Sequence, residues 1–117
     1  MLRLLKATLN SWHGVRAAAR TEVAFRQELI ALVLAVPAVF WVATDTWRRV
    51  SLIAVIVLLM IVELINTALE KLADHVTPHH HDAIGRIKDM GSAAVGLTLL
   101  LAGGVWLVAL AERIGLL

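Results

Sequence analysis

The chain has 117 residues, 60% of them hydrophobic, with a mean hydropathy of +0.82. That length supports one domain, 1–117, and the composition is too apolar for a soluble domain, where about half apolar is usual. Cysteine is absent, which excludes a disulfide framework and a thiolate metal site; the net charge of +2 flanks apolar segments instead of forming a basic face, which argues against a nucleic-acid partner.

The first predicted element covers 1–20. Leu2, Leu5, Leu9, Trp12 and Val15 recur near helical spacing among Arg and Lys residues, the pattern of an amphipathic helix lying in the headgroup region. No continuous apolar core follows the first charges, so the stretch does not read as a signal peptide. Glu22, Arg26 and Glu28 come next. They form either a solvated helix with an i,i+4 Glu–Arg pair or a carboxylate cluster at the membrane edge.

Three spans follow, over about 23–43, 48–70 and 88–111. Their apolar centres are Leu29–Ala43, Val50–Ile65 and Met90–Ala111. Only the third reaches the roughly 20 residues that cross a bilayer unaided, and the other two need helical extension into their flanks. Pro37 lies inside the first, where a transmembrane helix tolerates it if neighbours re-satisfy the freed carbonyl. The fold class is therefore an all-α membrane protein. Eight Lys/Arg side chains (Arg3, Lys6, Arg16, Arg20, Arg26, Lys71, Arg86 and Lys88) fall on one side of a three-span layout, and Arg48, Arg49 and Arg113 on the other. The positive-inside rule then places the amino terminus in the cytoplasm and the carboxyl terminus in the periplasm of a bacterial inner membrane. Trp41, Trp47 and Trp106 fall at the outer interface and Trp12 at the inner.

The second span carries the clearest candidate for chemistry. Glu63 ends its apolar run, and Asn66, Glu70 and Asp74 follow at steps of three, four and four, on one helix face. A carboxylate at the centre of such a helix costs about 3 kcal/mol on insertion scales, so it persists where a packed interior or a site needs it. The stripe either binds helices together or positions a divalent ion and a general base. Oxygen ligands at this depth suit Mg²⁺, which takes one or two carboxylates plus substrate phosphates. Lys88-Asp89-Met90-Gly91-Ser92 opens the third span: the lysine is either a phosphate ligand or a snorkelling side chain, and Gly91 and Ser92 permit close approach of a ligand or a neighbouring helix. His75 and His79-His80-His81 with Asp82 read as a polar loop ahead of a zinc tract, because three adjacent histidines cannot face one ion from a regular helix. No phosphate-binding glycine loop is present. Residue spacing alone thus leads to a membrane enzyme or transporter with an interfacial carboxylate site.

Three motifs go further. Glu22-Val-Ala-Phe-Arg-Gln-Glu28, Ile61-Val-Glu-Leu-Ile-Asn-Thr-Ala-Leu-Glu70 and Gly85-Arg-Ile-Lys-Asp-Met-Gly-Ser-Ala-Ala-Val95 resemble, in order and over essentially the whole chain, the prokaryotic diacylglycerol kinases, small integral-membrane lipid kinases. The resemblance implies a homotrimer with active sites shared between chains, and ATP-dependent phosphorylation of diacylglycerol to phosphatidic acid with Mg²⁺. It makes Glu63 the general base with Asn66 beside it, and Glu22 and Glu70 the metal ligands. It implies that Arg3, Asn10, Glu22, Glu70, His79, His80, His81, Lys88 and Asp89 meet ATP. More loosely, it implies that Arg3, Trp12, Arg16, Arg26, Gln27, Glu28, Trp41, Arg49, Glu63 and Ser92 line the lipid site. Asn10 stands where family members often carry an aromatic, the His79–His81 run replaces a more varied loop, and Ile87 replaces a usual alanine. Undecaprenol kinase of the same family fits the same motifs. A small cation-coupled transporter or non-catalytic membrane subunit is the distant alternative.

Overall fold

A computed structural model describes residues 1–117 as four helices: α1 (Leu2–Thr21), α2 (Val23–Val42), α3 (Thr46–Val76) and α4 (Asp82–Arg113). The breaks between them have local causes. Glu22 alone is extended, at φ −111° and ψ 114°, and turns the chain from α1 into α2. Asp45 caps α3, its carboxylate accepting from the Arg48 N–H at 3.1 Å, which satisfies one of the free amides at a helix start. Pro78 disfavours helix at Thr77, which sits at φ −138°, and α3 ends there. The α4 terminus closes through Gly115 at φ +84°, with Leu116 N–H on the Ala111 carbonyl and Gly115 N–H on that of Glu112. This paired closure needs a left-handed residue, and glycine adopts it without a Cβ penalty.

α2, α3 and α4 are long and apolar enough to cross a membrane. With 31 and 32 residues, α3 and α4 are about 46 and 48 Å long, well beyond a hydrocarbon core of about 30 Å. α3 runs past the end of its apolar stretch at Ile65 to Val76, and α4 begins six residues before Lys88. Hydropathy reports where lipid contact stops; helical hydrogen bonding continues through the polar turns beyond it.

α3 is the central helix. It packs on α2 along one side and on α4 along the other, while α2 and α4 barely meet. One buried cluster joins Ala18 of α1, Phe25 and Ala35 of α2, and Ile56 and Met60 of α3; a second joins Val39, Val42, Ala43 and Leu52. The molecule is a slab 22 Å thick in its thinnest dimension, about two helix diameters, and only 14 of its 117 residues are buried. Hydroxyls in the apolar segments answer themselves: Ser51 donates to the Trp47 carbonyl and Thr98 to that of Ala94, both at 2.8 Å. The Trp106 indole N–H crosses from α4 to the Leu52 carbonyl of α3 at 3.1 Å.

Between lipid-facing helices the cost of a cavity is lost packing more than lost hydrophobic transfer. Leu52, 1% exposed, should therefore cost about 2–3 kcal/mol when changed to Ala, near the low end of the leucine range. Reversible unfolding in mixed micelles measures it.

Candidate active site

The α1–α2 junction and the far half of α3 bring the sequence-predicted carboxylates together. Phe25, 1% exposed, anchors the first turn of α2 in the core, which sets Glu22 and Glu28 on either side of it. Both are half-buried, as are Glu63 and Glu70 on α3. Glu63 is near enough to Glu70 and Glu22 to feel both charges, and Glu28 in turn feels Glu63. Four carboxylates thus lie within Coulombic reach at the edge of the apolar segment. Lys71 pairs with Glu22 at 3.4 Å. Beside that pair a crevice of about 560 Å³ runs between α1 and α3, with Ser11, Gly14, Thr21, Thr67 and Lys71 in its wall.

Asn66 is the one buried polar side chain, 9% exposed. Its Nδ2 donates to Glu70 Oε1 at 3.2 Å, and its Oδ1 faces Gly91 of α4 with no hydrogen-bond partner. Glu28 Oε1 is likewise buried and unpartnered. Such oxygens carry the full cost of lost hydration unless something answers them. Lys88 reaches across from α4 to pair with Asp74, both groups well exposed.

No three His, Asp or Glu side chains within the chain converge to hold a metal. The donor set is all oxygen, and Mg²⁺ characteristically takes one or two carboxylates and completes its shell with phosphate and water. As carboxylates, Glu22 and Glu70 fit that chemistry. The histidines are held otherwise. His81 Nδ1 accepts from the Ala83 N–H at 3.2 Å and caps α4, and His80 Nε2 lies 3.5 Å from Asp82 on the surface.

A family model described as prokaryotic diacylglycerol kinase matches residues 9–110. The chain is 43% identical over 113 residues to a diacylglycerol kinase of Escherichia coli strain K12, covering 97% of this chain and 93% of that protein. The chain belongs to the prokaryotic diacylglycerol kinase family. Diacylglycerol kinases of Haemophilus influenzae and Pseudomonas aeruginosa are 32% and 39% identical, over 91% and 89% of this chain and 90% and 85% of theirs. This prokaryotic diacylglycerol kinase family member is accordingly an enzyme of the kinase class and, with three helices able to cross a bilayer, a multi-pass bacterial membrane protein.

Other residues that the resemblance assigns to the family site are spread out within a single chain. Arg3 is exposed and about 28 Å along α1 from Glu22 at ~1.5 Å per residue, with exposed Asn10, Trp12 and Arg16 between them. Gln27, Asp89 and Ser92 are exposed, and His79–His81 sit in the α3–α4 turn. Trp41 and Arg49 lie at the opposite end of the bundle, Arg49 about 21 Å from Glu63 along α3. There they cap α2: Arg49 Nε donates to the Ala43 carbonyl at 3.0 Å and stacks on Phe40, and Arg113 Nε donates to the Trp41 carbonyl at 2.8 Å over its ring. A groove of about 840 Å³ between α2 and α3 runs from Thr46 and Arg49 to Ile61, two residues short of Glu63.

Arg26 pairs with neither Glu22 nor Glu28. Its guanidinium donates to the Ala19 and Arg20 carbonyls, at 3.3 and 2.9 Å, closing the end of α1. Sequence spacing could not show this, because the acceptors are backbone atoms on another helix. Lys71 gave no sequence signal as a partner of Glu22 because the two lie far apart in sequence and meet only when α3 packs beside the α1–α2 junction.

Arg26→Ala removes the donors that satisfy the last carbonyls of α1. Amide exchange around Ala17–Thr21 should rise by roughly an order of magnitude, read by mass spectrometry, while exchange in α3 stays put. Unchanged protection at the α1 terminus would mean that those carbonyls find water instead.

Proposed function

We propose that this protein transfers the γ-phosphoryl group of ATP to the hydroxyl of diacylglycerol, giving phosphatidic acid, with Mg²⁺ as cofactor. The observation that carries the reading is the gathering of Glu22, Glu28, Glu63 and Glu70 at the edge of the apolar segment, the depth at which a lipid hydroxyl lies. Family membership and the diacylglycerol kinases among its relatives supply the substrate class.

Glu63 takes the proton of the lipid hydroxyl. The lipid oxygen forms a bond to the γ-phosphorus as the bond from that phosphorus to the bridging oxygen breaks, and ADP departs. Such transfer asks a protein mainly for positioning and charge neutralisation. Bound through Glu22 and Glu70, Mg²⁺ would neutralise charge on the phosphates. Asn66 holds the Glu70 carboxylate in one orientation. Lys88 contributes to the phosphate site once it releases Asp74; an ion pair this exposed is worth about 1 kcal/mol or less, so a multiply charged phosphate displaces it readily. Arg3, Asn10, His79–His81 and Asp89 complete the nucleotide side. Trp12, Arg16, Gln27 and Ser92 flank the lipid, and Arg26 and Glu28 shape the junction where it enters. Trp41 and Arg49 reach only the far ends of its chains.

The chain works as a homotrimer in the inner membrane, its α1 lying along the cytoplasmic face. The spread of Arg3 and Asn10 away from Glu70 within one chain supports a site completed by a neighbour. The carboxylate end faces the cytoplasm, where ATP is found, and the carboxyl terminus is periplasmic.

Glu63→Gln keeps shape but cannot accept the proton, so phosphorylation should fall by roughly 10²–10⁴-fold with substrate binding retained. Turnover of purified protein with diacylglycerol and undecaprenol side by side checks both the base and the lipid; faster turnover on undecaprenol would reassign the substrate. Mixing Glu63→Gln with Glu22→Gln subunits should recover no activity if Glu22 and Glu63 act together from one chain, as they gather here, and partial recovery would give the two residues to different chains.

Glu22→Gln and Glu70→Gln should each raise the Mg²⁺ concentration for half-activity, and the pair together should cost far less than the sum. Unchanged metal dependence in both would remove them from the metal site. A reporter active only in the cytoplasm, fused after Leu117, should remain silent.

A further inference from the structure

Gly91 is the most closely approached glycine of the chain. A Cβ built on it would lie 2.1 Å from Asn66 Oδ1 and 3.2 Å from Leu69 Cδ2, whereas Gly96, Gly103 and Gly104 on the same helix have nothing within 4 Å. The Cα–H that takes the place of that Cβ therefore lies against an amide oxygen that has no other partner. A Cα–H···O contact of this kind is weak, but here it is the only answer to a buried acceptor. It also decides the orientation of the whole amide. With the oxygen turned to α4, the nitrogen faces along α3, where it donates to Glu70 Oε1.

We propose that Gly91 is a positioning residue. By lacking a side chain it lets α4 close on the Asn66 amide, and that amide in turn fixes which oxygen Glu70 leaves free for a phosphate-bound Mg²⁺. The last step rests on the role given to Glu70 above; the contact itself does not. The obstacle that a methyl group would meet is the end of a side chain and not backbone. Gly91→Ala should therefore displace the Asn66 amide before it separates the helices, and break the bond to Glu70.

Asn10 and Asn66 are the two asparagines of the chain. Isotopic labelling of asparagine nitrogen in the full-length protein in micelles gives two side-chain amide signals, told apart by Asn10→Gln. Gly91→Ala is expected to move the Asn66 signal in the same sense as Glu70→Gln does, and Gly96→Ala to leave it in place. Gly91→Ala should also weaken binding of a Mg²⁺-loaded, non-hydrolysable ATP analogue roughly tenfold, the scale of losing a hydrogen bond to a charged group, with no lipid present. A stationary Asn66 signal would overturn the contact. A moved signal with unchanged analogue affinity would overturn the positioning role. Failure of the wild type to phosphorylate any lipid would sink the proposed activity and leave both of these readouts intact. If Gly91→Ala does not assemble, Asn66→Ala/Gly91→Ala removes the atoms that the methyl would strike and should restore thermal stability; a double variant no more stable than the single would reject the idea.

Discussion

Lipid offers no hydrogen-bond partner, so each polar atom in the apolar part of this bundle has to be answered from within the protein or by what the protein binds. Most are answered locally. Ser51 and Thr98 turn back to their own helices, and the Trp106 indole reaches the Leu52 carbonyl of its neighbour. Two side-chain oxygens are left over. Asn66 Oδ1 has only the bare Cα of Gly91, and Glu28 Oε1 has nothing. Both belong to residues beside the candidate chemistry: Asn66 holds Glu70, and Glu28 feels the charge of Glu63.

The two ends of the molecule use charge differently. At the α2 carboxyl end, Arg49 and Arg113 spend their guanidinium groups on carbonyls and aromatic faces, and Arg48 bridges Asp45 and Glu112. Cations there close helix ends and hold the slab together. At the other end carboxylates outnumber the cations that pair with them: Lys71 meets Glu22 and Lys88 meets Asp74, while Glu28, Glu63 and Glu70 have no cation of their own. Under the proposed function a bound Mg²⁺ would relieve the repulsion among them.

Architecture explains why so little of the chain is buried. Of the three long apolar helices α3 alone packs closely on both others, and α2 and α4 carry large exposed apolar side chains such as Val33, Leu34, Leu97 and Leu100. In a bilayer those faces meet lipid or another copy at no hydrophobic cost. Stability then depends on close packing and on the cross-helix polar contacts. Small residues matter accordingly: Ala18, Ala35, Ala73, Gly91 and Ala102 are among the buried positions, letting helices approach where larger side chains would hold them apart.

Much of this was legible in the sequence. The apolar runs around Leu29–Ala43, Val50–Ile65 and Met90–Ala111 determined three long helices, because helix is the local way to satisfy a backbone in lipid. The steps from Glu63 to Asn66, Glu70 and Asp74 determined that these side chains share a face, because 3.6 residues make a turn. The motifs determined the family. Tertiary structure decided what spacing along one helix cannot encode, namely which atoms meet across helices. It gave Arg26 to the α1 carbonyls and not to the glutamates four residues before and two after it, gave Lys71 to Glu22, turned His81 into a helix cap, and set Gly91 against Asn66. The Lys71–Glu22 and Gly91–Asn66 contacts depend on the rotation and separation of helices far apart in sequence. Packing sets those coordinates, and hydrophobic pattern constrains them only to a face.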